Sequence, residues 1–124
     1  MKKYFLFLLI IFTASVSIYS QRVLGGYKST AIDDEGVTSA ADFAVQKKSD
    51  DVETPILLES IAKAESQTVA GVNYRLCLWV YSNNDDGEKD ESYTVQVVVN
   101  RNLQGSFSLT SWTETNCAPK EDID

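Results

Sequence analysis

One stretch of the chain has its apolar residues at the spacing of an α-helix. They recur at i, i+3, i+4, i+7 and i+8, so they fall on one face of a helix whose other face is polar. The acidic residues 33–35 come just before this stretch, where the positive end of a helix dipole favours them. We therefore predict a helix that starts near Val37 and ends around residues 48–51. Its predicted inward positions are Val37, Ala40, Ala41, Ala44 and Val45.

Three later stretches alternate apolar and polar residues with a period of two, which is typical of strands that place one face on a core. They span residues 72–82, 93–100 and 107–113. The polar run 83–88 separates the first two, and a short loop at residues 100–105 separates the last two. One helix followed by such strands predicts an α+β domain with an antiparallel sheet. In the first strand the predicted inward residues are Val72, Tyr74, Leu76, Leu78 and Val80.

Residues 56–70 fit two patterns. The first ten of them are mostly good helix formers. The stretch also fits a long strand whose polar side chains share one parity. Those side chains are Glu59, Lys63, Glu65 and Gln67. Pattern alone does not choose between helix and strand, and Gly71 ends the segment.

Residues 1–20 have the organisation of a secretory signal peptide. Two lysines give a short positive start, residues 4–12 are apolar, and residues 13–17 are mostly small. The apolar run is shorter than the roughly 20 residues that cross a bilayer, and a retained N-terminal anchor is the alternative. We predict export, with cleavage after Ser20 or, alternatively, after Ser17.

Removal of residues 1–20 takes away two lysines and no acidic residue, so the net charge of −7 becomes −9. The remaining residues 21–124 form a single small domain, with an N-terminal arm at residues 21–30 and an acidic tail at residues 118–124. The predicted location is secreted and extracellular, or the endomembrane lumen. The acidity argues against nucleic-acid binding. Because no second apolar segment exists, we expect no membrane attachment after cleavage.

The chain has two cysteines and no histidine. The commonest general base and zinc ligand is therefore missing, and neither a Ser-His-Asp nor a Cys-His catalytic site is possible. Two cysteines far apart in the chain cannot form a zinc site or an iron–sulfur cluster. We therefore predict a protein that is not an enzyme, with no catalytic residue, metal site or cofactor.

Three short motifs follow the signal segment. Residues 22–26 read Arg-Val-Leu-Gly-Gly, residues 42–45 read Asp-Phe-Ala-Val, and residues 67–71 read Gln-Thr-Val-Ala-Gly. They resemble, in order and spacing, the N-terminal arm, the helix signature and the Gln-x-Val-x-Gly motif of cystatins, the protein inhibitors of papain-like cysteine proteases. The resemblance covers residues 24–117, which is nearly the whole exported chain.

The resemblance implies a cystatin-like fold, in which one α-helix packs across a five-stranded antiparallel sheet. Residues 56–70 would then be the second strand, against their helix propensity. It also implies a monomeric, reversible, tight-binding inhibitor of papain-like (C1 family) cysteine proteases of the cathepsin type. An N-terminal arm and two hairpin loops would block the active-site cleft as a wedge. The alternative is a cystatin-fold binding or structural module with no protease inhibition.

The resemblance also assigns the contact residues. Two apolar arm residues would occupy unprimed subsites of the protease, and Gly25 would let the arm swing in. In the first hairpin, Gln67 would supply amide hydrogen bonds, Val69 would make apolar contact, and Gly71 would permit a tight turn. The predicted protease-binding residues are Val23, Leu24, Gly25, Gln67, Thr68, Val69, Ala70, Gly71, Asn102 and Leu103.

The second hairpin departs from the family, which often has Pro-Trp at this place. We assign it to residues 102–105, Asn-Leu-Gln-Gly, because they lie between two clear strands. Ser111 and Trp112 are not chosen, since only a polar, acidic segment would remain for the last strand. Residues 108–116 are instead similar to the last strand of the stefin branch. Leu103 would then replace tryptophan, which removes a large apolar anchor.

The cysteines match the family only in part. Cys117 resembles the C-terminal cysteine of secreted cystatins, but the usual partner lies on the fourth strand and Cys77 lies on the third. Strands two apart are separated by about 10 Å, beyond the Cα–Cα reach of a disulfide, which is about 7 Å. A Cys77–Cys117 disulfide, which export would permit, therefore requires the tail to fold back over the outer face of the sheet. We expect Trp79 and Trp112 on that same face.

Overall fold

The computed structural model describes residues 26–120, in which one helix lies across a sheet of five strands. All the strand pairs are antiparallel, and the order of the strands in the sheet is their order in the chain. The predicted α+β fold, with one helix packed on a five-stranded antiparallel sheet, is confirmed. The elements are β1 (Lys28–Ser29), α1 (Glu35–Val52), β2 (Leu57–Val69), β3 (Gly71–Tyr81), β4 (Tyr93–Arg101) and β5 (Phe107–Glu114).

Helix α1 begins two residues before the predicted Val37 because Asp34 caps its first turn. The Asp34 carboxylate accepts hydrogen bonds from the backbone N–H groups of Gly36 (3.0 Å) and Val37 (3.2 Å). These groups would otherwise have no partner within the helix. At the other end Glu53 adopts the left-handed conformation (φ 58°), and its N–H donates to the carbonyl oxygen of Ser49.

The core lies between α1 and one face of the sheet. The predicted inward stripe of the helix is buried, and its three alanines let the helix backbone approach the sheet closely. The facing side chains come mainly from β3 and β4, as the alternation in these two strands predicts. Those fully buried are Leu76, Leu78 and Val80 of β3 and Val95, Val97 and Val99 of β4.

Strand β2 contains two irregularities that explain why its sequence also fits a helix. The register with β3 shifts between Leu58 and Ser60 and again between Ile61 and Lys63. Each shift inserts one extra residue, as in a β-bulge. The side chains on the core face are therefore Leu58, Ile61 and Ala64, which are three residues apart. This spacing imitates the i, i+3 spacing of a helix. The family resemblance, which implies a strand for this segment, is correct.

A similar irregularity in β5 overturns the expected position of Trp112. The register with β4 shifts next to Val98, which leaves Thr110 as the extra residue. An extra residue reverses the side-chain alternation beyond it. Trp112 therefore lies opposite the buried Val97 and packs against the core. The expectation that Trp112 shares the outer face with Trp79 is wrong.

The predicted arm of residues 21–30 is too long at its C-terminal end. Residues 28–29 form the edge strand β1, where they pair with Ser66 and Glu65 of β2. A segment without apolar periodicity thus joins the sheet through backbone hydrogen bonds, which the side-chain pattern does not report. The predicted signal peptide and the rest of the arm, residues 1–25, lie outside the described residues.

A disulfide joins Cys77 to Cys117, whose Cα atoms are 5.8 Å apart. Cys117 lies not on β5 but three residues beyond its last residue, Glu114. Thr115 still pairs with β4: its N–H donates to the carbonyl oxygen of Thr94 (3.2 Å), and the Thr94 hydroxyl donates to the carbonyl oxygen of Thr115 (2.5 Å). The chain then folds back across β4, where the Sγ atom of Cys117 lies 3.5 Å from the carbonyl oxygen of Val95. The returning tail covers Cys77, which is only 2% exposed.

No helix within residues 26–120 is long and apolar enough to cross a membrane. Of the predicted acidic tail, residues 118–120 form neither helix nor strand, and residues 121–124 lie outside the described part of the chain.

Candidate functional site

Both hairpin turns that the sequence singles out lie at one end of the sheet. Strand β2 turns into β3 through Ala70, and β4 turns into β5 through residues 102–106. The two turns are neighbours because β3 begins where β4 ends, with Val72 paired to Arg101. The chain also enters the sheet at this end. Since β1 runs antiparallel to β2, residues 26–27 lead away from it in the direction of the first turn.

The two turns meet at Gly71. Its φ of +107° lies in the left-handed region that favours glycine. A Cβ atom at this position would collide with the carbonyl oxygen of Arg101 and would lie 3.0 Å from the Cα atom of Asn102. Any other residue would therefore push the second hairpin away from the first. Gly71 is required both for its own conformation and for the close approach of the two turns.

Asn102 shapes the second turn from within. Its side-chain oxygen accepts hydrogen bonds from the backbone N–H groups of Gln104 (3.0 Å) and Ser106 (2.9 Å). Its own N–H donates to the carbonyl oxygen of Ser106 (2.9 Å). The turn thus presents Leu103 to solvent, with 76% of that residue exposed. Of the two residues expected to contact a protease here, Leu103 lies at the tip and Asn102 supports it.

The tips of the two turns form a ridge, which we define as residues 68–72 and 102–105. Four large apolar side chains within residues 26–120 are exposed, and two of them, Val69 and Leu103, belong to the ridge. A shallow groove runs between the two turns. None of the ridge residues is charged, although the chain as a whole is strongly acidic, and the exposed Arg101 beside them also lines the groove. Exposed apolar side chains without a carboxylate among them suit a surface that binds another protein.

Gln67 lies on the outer face of the sheet, next to the ridge. Its side-chain oxygen accepts a hydrogen bond from the amide of Asn73 (3.2 Å), whose own oxygen accepts one from the amide of Asn100 (2.8 Å). This row of amides crosses three strands beside both turns and ties the strands together. Gln67, which the sequence suggests as a contact residue, is half-buried and helps to support the turns. Thr68 and Ala70 are exposed.

The predicted arm residues Val23, Leu24 and Gly25 lie outside the described residues. The described chain begins with the exposed Gly26 and continues with the half-buried Tyr27.

The ring of Tyr27 lies beneath the guanidinium group of Arg75, whose Cζ atom is 4.0 Å from the ring centroid. The Arg75 Nε–H donates to the carboxylate of Glu65 at 2.8 Å. This hydrogen bond lowers the pKa of Glu65 below its usual value and raises the pKa of Arg75. Both groups are therefore charged at neutral pH, and the pair stays intact.

Charge is concentrated at the opposite end of the sheet. The carboxylate of Glu59 accepts hydrogen bonds from the Lys89 ammonium and the Ser92 hydroxyl, and chiefly the bond from Lys89 lowers the pKa of Glu59. The loop between β3 and β4 lies at this end. Its acidic residues are Asp85, Asp86, Glu88, Asp90 and Glu91.

Within residues 26–120 no group of three or more His, Cys, Asp or Glu side chains is placed to hold a metal ion. The ridge offers apolar surface and backbone hydrogen-bonding groups, which suit it for binding by contact.

Sequence analysis missed Asn73 and Asn100, although both occupy outward positions of strands beside predicted turns. The role of the Arg101 backbone has no sequence signal, because it depends on the register between β3 and β4.

Residues 29–115 match a family model, SQAPI, described as aspartic acid proteinase inhibitor. No curated protein matches the sequence significantly.

Two solved structures resemble the chain. The salivary cystatin from the soft tick Ornithodoros moubata has a TM-score of 0.63 and 21% sequence identity, and the match covers 73% of this chain and 97% of that one. Al-CPI has a TM-score of 0.57 and 15% identity, and the match covers 73% of this chain and 100% of that one. At these identities the likeness shows a shared fold.

Gly71→Ala and Gly87→Ala form a matched pair that tests the contact between the turns. Both glycines have positive φ, but a Cβ at Gly87 would meet nothing within 4 Å. We expect Gly87→Ala to lower the free energy of unfolding by about 1–2 kcal/mol through its conformation alone. Gly71→Ala should cost about 1–3 kcal/mol more, because of the collision with Arg101. Urea denaturation measures both values, and equal losses would contradict the close approach.

Proposed function

We propose that this chain, which belongs to the family of aspartic acid proteinase inhibitors and has the cystatin fold, inhibits papain-like cysteine proteases by inserting its ridge into the active-site cleft. The papain-like target rests on the resemblance of residues 67–71 to the cystatin motif. The inhibition is reversible and tight, and it involves no chemical step by the inhibitor. The family is one of inhibitors and not of enzymes.

The observation that carries this proposal is the alignment of the two turns through Gly71. The missing side chain at Gly71 allows the first turn to lie against the Arg101 carbonyl. Val69 and Leu103 are both exposed and line the groove between the two turns. A ridge that is already shaped in the free protein loses little conformational entropy on binding, which favours high affinity.

The motif Gln67–Gly71 supports a papain-like target, because it resembles the cystatin signature and forms the first turn of the ridge. By the same resemblance, Val23 and Leu24 occupy unprimed subsites and Gly25 gives the arm freedom to enter. Leu103 is smaller than the tryptophan that cystatins often have in the second turn. Affinity therefore depends more strongly on Val69 and on the arm.

A second candidate target is an aspartic proteinase. The family model that matches residues 29–115 is described by that activity. The neutral, apolar ridge offers the same kind of contact to either class of cleft. The third possibility is a cystatin-fold binding or structural module that inhibits no protease.

We also propose that the protein acts outside the cell or in the endomembrane lumen. The predicted signal segment supports this location, and so does the Cys77–Cys117 disulfide, since disulfides persist in oxidising compartments. The tick protein of similar fold is named a salivary cystatin.

Titration of papain and of pepsin with the exported chain decides between the targets. Papain must be activated with a thiol and then desalted, so that the Cys77–Cys117 disulfide stays oxidised during the assay. Each protease is assayed at a pH where it is active, and trypsin serves as the control for unspecific inhibition. Electrophoresis checks that the chain is not simply cleaved as a competing substrate.

We expect stoichiometric inhibition of papain and none of trypsin, and inhibition of pepsin as well would add the second target. Inhibition of pepsin alone would transfer the proposal to aspartic proteinases. If micromolar concentrations inhibit neither papain nor pepsin, the chain is a binding or structural module and the proposal is wrong.

Val69→Ser and Val52→Ser form a second matched pair. The two valines are exposed to nearly the same extent, 39% and 43%, but Val69 lies on the ridge and Val52 at the far end of α1. Val69→Ser should raise the inhibition constant about 5- to 30-fold, because an apolar side chain no longer enters the cleft. Val52→Ser should leave it unchanged. Equal effects of the two substitutions would show that the ridge is not the contact surface.

A further inference from the structure

The N-terminal arm joins the sheet through little backbone structure. Strand β1 has only two residues and lies at the edge of the sheet. Gly26 precedes it and has open space around its Cα atom. Directly after β1, the Thr30 N–H donates to the carbonyl oxygen of Ala64 (2.9 Å), and the Thr30 and Ser66 hydroxyls share a hydrogen bond (2.8 Å). These contacts hold the C-terminal side of β1, so residues 26–27, at the other end of a short ladder that frays easily, depend on other contacts.

The side chain of Tyr27 provides a stronger attachment. Its ring stacks under the Arg75 guanidinium group at 4.0 Å, and Arg75 donates to Glu65 at 2.8 Å. The Glu65 side chain is only 18% exposed and that of Arg75 is 36% exposed, so the three groups form a partly buried stack on the outer face. A planar guanidinium group held by a carboxylate is a fixed surface on which an aromatic ring can rest.

We propose that Tyr27 and Arg75 anchor the root of the N-terminal arm and act as positioning residues for it. The inference rests on the proposed function, in which the arm enters the protease cleft together with the ridge. Tyr27 immediately precedes β1, and its ring contacts Arg75 just before the sheet begins. Its attachment to β3, the strand that begins at Gly71, fixes the exit point of the arm relative to the first turn.

The anchor acts through the entropy of binding. An arm and a ridge on one chain bind as linked modules, and the second contact gains from the high effective concentration that the first one creates. That gain is greatest when the arm leaves the sheet close to the cleft. Without the anchor the arm samples more conformations, and more of them must be lost on binding.

The test measures inhibition constants against papain for Tyr27→Ala and Arg75→Gln in the exported chain. Each substitution should weaken inhibition about 3- to 30-fold, the range that corresponds to one cation–π contact. The double variant should be no weaker than either single variant, because both remove the same contact. Tyr27→Phe keeps the ring and should inhibit like the parent.

A truncated chain that starts at Gly26 shows whether Tyr27→Ala weakens inhibition by misplacing the arm or by lowering the stability of the whole domain. This truncation removes none of the five strands or the helix. In the truncated chain Tyr27→Ala should change the inhibition constant less than about twofold, since no arm is left to position. If Tyr27→Ala weakens the truncated and the full chain equally, or weakens neither, the proposal is wrong.

Heteronuclear ¹H–¹⁵N NOE values of Gly26, Tyr27 and Lys28 test the anchor without a protease. We expect high values in the parent and in Tyr27→Phe, and low values in Tyr27→Ala and Arg75→Gln, because the root becomes mobile on the picosecond to nanosecond timescale. Unchanged values would overturn the anchor even if the protein inhibits papain. A parent chain with high values that inhibits no protease would refute the proposed function and, with it, the role of the anchor in inhibition.

Discussion

The absence of a side chain at Gly71 is the constraint on which the shape of the site depends. The first turn can lie against the backbone at Arg101 and Asn102 only because no Cβ atom separates them. The pairing of β3 with β4 places the two turns on one edge, and the missing side chain at Gly71 lets them touch there, with Val69 and Leu103 exposed. The core positions the strands, but this single close approach decides that the edge is one ridge and not two separate loops.

The side-chain pattern predicts the fold where the chain is regular and misleads where it is not. The helix stripe and the alternation in β3 and β4 identified most of the buried core, because each of these elements keeps one period along its length. Strand β2 imitates a helix because two bulges space its core residues by three. In β5 one extra residue moved Trp112 from the expected outer face to the core. Bulges have no reliable sequence signal, since they are fixed by pairing with the neighbouring strand.

The sequence predicts the two turns of the site but not the side-chain contacts that support them. The motif at residues 67–71 and the loop at residues 102–105 marked both turns in advance, and the register of β3 and β4 makes them neighbours. The amide row that supports them and the stack under Tyr27 were not predicted, because they join side chains from strands far apart in the sequence. Strand spacing alone disfavours the Cys77–Cys117 disulfide, which forms because the tail folds back across β4.

We propose that the ridge, and not the acidic opposite end of the sheet, enters the protease cleft. Hydrogen–deuterium exchange of the chain, free and mixed with papain, distinguishes the two ends. We expect slower exchange at residues 67–72 and 101–106 in the complex and no change at residues 83–91. Slower exchange at residues 83–91, or unchanged exchange at both turns, would show that another surface meets the protease.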